Sequence, residues 1–308
     1  FTLKPLNESF GGGNFFVKNL SDYLKSKKYN IVYELQKNID IIFIIDPRKN
    51  KSNNFKYQEI IEYKKNNPKV KIIHRVNEND MKREKSINIE PLLIETMKIA
   101  DLVVFVSKWM QDYFINKYNL NINSKYIING CDRKIFYPLK DKNLLLNDKK
   151  KIKIVTHHFS SNYLKGFHIY NKIDKLIEIN KKNNFKLFIN KCDKTEFYNN
   201  LLKSKIMISV WGNGESLRDD YFCIHNDIIV LKVNTSHIND FYGLHNTDKI
   251  FHFFNIDFSN LENKINEILN NYEYYYNLHN EKRKKILEKY NLEYHVNKLS
   301  DKIKRTYK

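Results

Sequence analysis

Between an apolar run, Ile152 to Thr156, and an amphipathic stretch, Phe167 to about Lys181, lies the polar segment THHFSSNYLKGF, residues 156–167. Its Lys165-Gly166 pair is suited to an anion. A strand-to-helix loop opens into the crevice beyond the carboxyl edge of a sheet. The helix start offers free N–H groups at the positive end of its dipole, and a lysine adds a full charge. The ligand such a site would take is the diphosphate of a nucleotide-activated molecule. A solvated lysine beside a turn glycine is the plainer reading of the same residues.

Three other segments carry comparable chemistry. Gly11-Gly12-Gly13 stands between an opening strand end, Phe1 to Lys4, and a helix expected from about Asn14 to Lys27. Bare glycines let backbone N–H groups approach a ligand. This is neither a P-loop, because no Gly-Lys-Ser/Thr follows, nor a GxGxxG fingerprint, because Phe15 and Phe16 follow Asn14. HRVNENDMKR, residues 74–83, follows a second apolar run. Arg75 has the planar fork that meets a sugar or a carboxylate, and Asn77, Glu78 and Asp80 offer amide and carboxylate groups to hydroxyls. His74, closing a strand, reads first as a core residue and only second as a general base. WGNGESLR, residues 211–218, follows the apolar run Ile206 to Val210. There Asn213, Gly214 and Ser216 would start a helix around a ligand, Glu215 would accept from hydroxyls, and Arg218 would face phosphate. A capping Ser216 with a surface ion pair is the plainer alternative.

Positioning these loops requires alternating strands and helices. Asp40 to Ile45, Val70 to His74, Asp101 to Val106 and Lys125 to Ile128 read as strands, the apolar runs among them as strands buried on both faces. Helices are expected over 87–100 and 108–117, the latter capped by Ser107. The turn-like segment 129–138 and the lysine-rich segment 140–151 read as a connection. Alternation resumes with strands at 151–156, 185–189, 206–210, 228–232 and 250–253. Helices are expected at 167–181, 195–203, 217–225, 259–271, 272–288 and 292–306. This order implies parallel, doubly wound sheets with ligand loops at their carboxyl ends.

A chain of 308 residues, 42% hydrophobic, can build two such domains. No run of 18 apolar residues spans a membrane, and no signal peptide is read. Three scattered cysteines, Cys131, Cys192 and Cys223, form no metal-ligand or disulfide pattern and fit a reducing cytoplasm. The formal charge of +19 rests almost wholly on lysine, with arginine at only seven positions. A solvated lysine surface accounts for it. No nucleic-acid motif is found and no nucleic-acid partner is expected. A basic helix over Glu281 to Tyr290 could touch an anionic bilayer from its cytoplasmic face.

Taken in order, GGGN, HRVNENDMKR, ADLVVFVSKWMQDYF, YIINGCDRKIFYP, THHFSSNYLKGF and the tail ILEKYNLEYHVNKLSDKIKRTY resemble the glycosyltransferases of family 4 and their divergent relatives. The resemblance implies a GT-B architecture. Residues 1–138 would form an acceptor-side Rossmann-like domain and 139–290 a nucleotide-sugar domain, with 291–308 a closing helix on the first domain. It implies an enzyme moving a sugar from a nucleotide donor to a hydroxyl of a glycan or lipid-linked acceptor. No metal or cofactor would be needed, and the anomeric configuration would be retained. Lys165, Arg218 and Glu215 would be the catalytic groups. Gly12, Gly13, Lys165, Gly166, Asn213, Gly214, Glu215 and Ser216 would hold the donor, and Asn14, Arg75, Asn77 and Asp80 the acceptor. The second glutamate of the family's Glu-x7-Glu motif is not matched: Glu215 fills the first place and Cys223 stands eight residues on. That gap leaves a second reading open, a catalytically silent relative binding glycans or partners. A basic protein of nucleic-acid or membrane surfaces is a third.

Overall fold

The computed structural model describes residues 1–6, 11–48, 54–80, 88–127, 154–158, 170–171, 185–189, 201–209, 228–234, 254–257, 261–278, 280 and 292–307. By its internal contacts the chain divides into two compact units. Unit 1 comprises Phe1–Asp80, Lys85–Ile128 and Glu293–Lys308, and unit 2 comprises Met81–Glu84 and Asn129–Leu292.

Unit 1 is built on a parallel sheet of β1 (Ile41–Ile44), β2 (Lys71–Val76), β3 (Leu102–Phe105) and β4 (Ser124–Tyr126), in that order. β1 and β2 are buried beyond their first residues and β3 throughout. Unbroken burial along a strand means that both faces are covered, as the apolar runs predict. The covers are α1 (Gly11–Ser26), α2 (Tyr57–Asn66), α3 (Glu90–Ile99) and α4 (Lys108–Tyr118). α2 sends Ile60 into a cluster with Ile42, Ile44, Phe55, Val70 and Ile72. α4 stacks Phe114 on Phe105, ring centroids 5.9 Å apart. Ser107 caps α4, its Oγ accepting from the Met110 N–H at 3.2 Å, as expected. Asn119, in the left-handed conformation, ends that helix. Pro91 stands in the first turn of α3, where its missing N–H has no consequence.

Unit 2 carries a five-stranded parallel sheet: β5 (Ile154–His158), β6 (Phe185–Ile189), β7 (Ile206–Ser209), β8 (Ile229–Asn234) and β9 (Phe254–Asp257), ordered β6-β5-β7-β8-β9. Ile206, Met207 and Ile208 of β7 and Ile229 and Val230 of β8 are fully buried. α5 (Leu261–Asn270) follows, and residues 272–278 are again helical. The final helix, α6 (Leu292–Tyr307), belongs from Glu293 on to unit 1 and buries Val296 and Leu299. The Tyr23 hydroxyl of α1 donates to the Asn297 side-chain oxygen of α6.

Three elements differ from expectation. α1 begins at Gly11, so the three glycines form its first turn rather than a turn before it. α2 was not expected: in YQEIIEYKKN only Ile60 is buried, so the stretch lacks a broad apolar stripe. The strand expected over 250–253 lies outside the described residues, and a strand occurs just beyond, at Phe254–Asp257.

Candidate functional site

The carboxyl ends of β1 and β2 meet the start of α1. Register pairs Ile44 with His74 across the two strands. A Cβ built on Gly13 would lie 3.8 Å from Ile45 Cγ2, which places the first turn of α1 against the end of β1. That turn holds no acidic residue, so nothing on it neutralises the positive end of the helix dipole. Asn14 secures the approach: its Oδ1 accepts from the Leu6 N–H at 2.7 Å and its Nδ2 donates to the Leu6 carbonyl at 3.2 Å.

Arg75 is 3% exposed, with its guanidinium 4.1 Å from the centre of the Phe16 ring. A desolvated cation over an aromatic face gains about 2 kcal/mol, which holds the fork in one orientation. After β1, Asp46 accepts from Arg48 three times: at Oδ1 from the backbone N–H (2.9 Å) and Nε (3.0 Å), and at Oδ2 from Nη2 (2.7 Å). That pairing raises the Arg48 pKa further. His74 is fully buried, and neither ring nitrogen has a hydrogen-bond partner. Burial pushes its pKa down to about 3 against the opposing pull of Asp46, so the ring is neutral. The structure thus agrees with His74 as a core residue.

The loop after β2 is fixed from below. Asp80 accepts at Oδ1 from the Ile89 N–H (3.1 Å) and at Oδ2 from the Glu90 N–H (3.2 Å), satisfying donors at the start of α3. In return the Asp80 N–H donates to Glu90 Oε1 at 3.0 Å. Glu90, its side chain 3% exposed, also accepts from the Tyr113 hydroxyl (2.8 Å), Lys117 Nζ (2.9 Å) and the Tyr118 hydroxyl. Burial alone would raise its pKa; bonds from Tyr118, Lys117, Tyr113 and the Asp80 backbone outweigh this and hold it below the ordinary value. Glu78 accepts from the Asn79 N–H at 3.3 Å on the same loop.

Of the predicted site residues, the structure brings Gly12, Gly13, Asn14 and Arg75 to one sheet edge and places Asn77 and Asp80 on the loop that continues from it. The side chains of Asn14 and Asp80 serve as clasps for that architecture. Lys165, Gly166, Asn213, Gly214, Glu215, Ser216 and Arg218 lie outside the described residues, as do Glu281 to Tyr290 and the three cysteines. Sequence reasoning missed Asp46, whose only signal is an acid closing the apolar run DIIFII, and the role of Phe16 beneath Arg75. No group of three or more potential metal ligands converges among the described residues.

No protein-family model matches the chain, and no curated protein matches it in sequence. Solved structures match in fold. The sucrose-phosphate synthase of Thermosynechococcus elongatus gives a TM-score of 0.66 at 12% identity, covering 97% of this chain and 94% of that one. A glycosyltransferase of Rickettsia africae gives 0.58 at 15% identity, covering 98% and 84%. Anabaena HepE in complex with UDP and glucose gives 0.58 at 11% identity, covering 97% and 84%. What is shared is an α/β fold of parallel sheets and helices, the fold of GT-B glycosyltransferases. Among the described residues, no helix is long and apolar enough to cross a membrane.

Proposed function

We propose that this chain is a glycosyltransferase that moves a sugar from a nucleotide donor to a hydroxyl of a glycan or lipid-linked acceptor. The observation that carries the proposal is the fold likeness over nearly the whole chain to glycosyl-transferring proteins, one of them holding UDP and glucose. The sequence supports it with the Lys165-Gly166 loop after β5 and with GNGESLR after β7.

In this reading Lys165 and Arg218 stabilise the departing diphosphate, and Gly166, Asn213, Gly214 and Ser216 supply backbone and side-chain donors around it. Glu215 holds the sugar hydroxyls. On unit 1 the first turn of α1, at Gly12 and Gly13, offers N–H groups to the reacting partners. Arg75 and Asn77 meet the acceptor, while Asn14 and Asp80 fix the segments that carry them. Metal-independent transfer with retention, in the cytoplasm beside an anionic membrane face, completes the proposal.

The first test is thermal denaturation against a panel of nucleotides and sugar nucleotides, because a ligand of the folded state raises the melting temperature. The second is transfer and donor hydrolysis by the wild type and Lys165→Ala. A fall of about 10²–10³-fold is expected for one lost electrostatic stabiliser. Equal rates would remove Lys165 from the mechanism. Saturable binding without turnover on any acceptor would favour the silent relative that the unmatched second glutamate suggests.

A further inference from the structure

β2, β3 and β4 run parallel, so their amino ends gather at the end of the unit 1 sheet opposite the candidate site. Along β2, Lys71 lies about 13 Å from Arg75 at the rise of an extended strand. At this far end the strands and α6, all within unit 1, wall a hollow of about 330 Å³. Lys71, Asp101, Asn123, Lys125, Lys302 and Arg305 line it, and Leu102 is its one apolar wall. Four cations thus surround a single carboxylate.

That carboxylate is already engaged. Asp101 Oδ1 lies 3.3 Å from Lys71 Nζ; its Oδ2 lies 3.7 Å from Lys64 Nζ and accepts from the Ile72 N–H at 2.8 Å. Burial alone would raise the Asp101 pKa, but the Ile72 N–H and the two lysines outweigh it and hold the group below its ordinary value. Asp101 therefore fixes Lys71 at the wall and leaves the charges beyond it uncompensated. Among the described residues, Lys125 and Arg305 form no ion pair. On α6, Lys302 and Arg305 stand three residues apart and share one face, while Asp301 lies 4.0 Å from Lys304. A solvated lysine coat accounts for cations spread over a convex surface. It does not account for four gathered in a concavity, one of them among only seven arginines of the chain. Like charges held together cost energy until an anion joins them, and a concave wall focuses their field.

We propose that this hollow binds a phosphorylated ligand, its phosphate or diphosphate group held by Lys71, Lys125, Lys302 and Arg305, at a site separate from the transfer chemistry. Arg305 supplies a planar fork for two phosphate oxygens, and the lysines supply point charges. The volume suits a phosphate ester with a body no larger than a sugar or glycerol unit. A soluble phosphate ester and the headgroup of a phosphomonoester lipid share that chemistry.

Inorganic pyrophosphate titrated into the full chain, followed by amide chemical shifts, tests this. Saturable shifts are expected at Leu102, Asn123 and Tyr126. The double variant Lys125→Gln, Arg305→Gln changes two exposed side chains and should keep the wild-type melting temperature. It should weaken binding read at those amides by about tenfold or more, for two lost charge-assisted contacts. Equal affinity in the double variant would overturn the site, as would unsaturable shifts matched by sodium chloride at the same ionic strength. Phosphatidylcholine vesicles with and without phosphatidic acid separate the two sources. Retention on phosphatidic acid that pyrophosphate displaces assigns a lipid headgroup, and pyrophosphate binding without retention assigns a soluble phosphate ester. Retention that pyrophosphate does not displace would show a charged surface rather than a phosphate site, and the proposal would fail.

Discussion

Glu90 and His74 are both buried ionisable groups in unit 1, and the protein treats them in opposite ways. Glu90 receives four donors, from the Asp80 backbone, Tyr113, Lys117 and Tyr118, and stays charged. His74 receives none and stays neutral. The first arrangement replaces the water a carboxylate loses with fixed dipoles and a cation, and so rigidifies the base of the 77–80 loop. The second leaves two polar atoms in an apolar strand environment at a cost of about 1–3 kcal/mol. One cluster therefore stabilises the fold, and the other is tolerated by it at the edge where Arg75 and the start of α1 gather.

The comparison breaks most easily at Glu90. Glu90→Ala leaves two hydroxyls, an ammonium and a backbone N–H without their shared acceptor. It should cost roughly 3 kcal/mol or more in urea unfolding. Glu90→Gln keeps an acceptor oxygen and should lose less. A loss below about 1 kcal/mol for the alanine variant would show that the network does not hold the loop.

His74→Leu should act in the opposite direction. A side chain of similar size without orphan nitrogens should gain roughly 1 kcal/mol. The pH dependence separates the two sites. His74 has a folded pKa of about 3 against an ordinary 6.5, so the unfolded chain binds the proton first. Stability is lost as pH falls from 6.5 towards 3. Glu90 lies below its ordinary 4.5, so its contribution is present above 4.5 and lost only at more acid pH. Stability curves of wild type and His74→Leu should diverge between pH 6.5 and 4.5, whereas Glu90→Gln should keep the wild-type slope there. A His74→Leu chain that is destabilised, with its slope intact, would reverse the assignment.

The two clusters were unequally legible in the sequence. His74 closes an apolar run, and its burial follows from that position alone. Strands such as DIIFII and ADLVVFV and the Ser107 cap were legible for the same reason: period, apolarity and capping chemistry are local. The Glu90 network was not. Glu90 follows no motif, and Tyr113, Lys117 and Tyr118 read only as positions on a helix until α3 and α4 pack together. Arg75 was legible as a rare arginine after a strand, but Phe16 beneath it read as part of the apolar face of α1. Asp80 read as a polar loop residue and turned out to hold the start of α3. Three glycines signalled a turn, yet they form helix, because three successive glycines carry no local preference that distinguishes the two.

Gly13 gives the smallest and most discriminating test, because it asks which side of the comparison the start of α1 belongs to. It is helical, and a methyl group there would meet Ile45 Cγ2 at 3.8 Å, an ordinary contact. Neither backbone conformation nor packing requires glycine. Gly13→Ala should therefore stabilise the chain by roughly 0.5–1 kcal/mol, as alanine does over glycine in a helix. If the bare backbone is kept for a ligand, the same methyl should weaken UDP-glucose binding measured by calorimetry, placing Gly13 with His74 among residues retained against stability. A more stable variant with unchanged UDP-glucose affinity would remove Gly13 from the proposed donor site. A less stable variant would show that the turn is under a constraint that packing distances alone do not reveal.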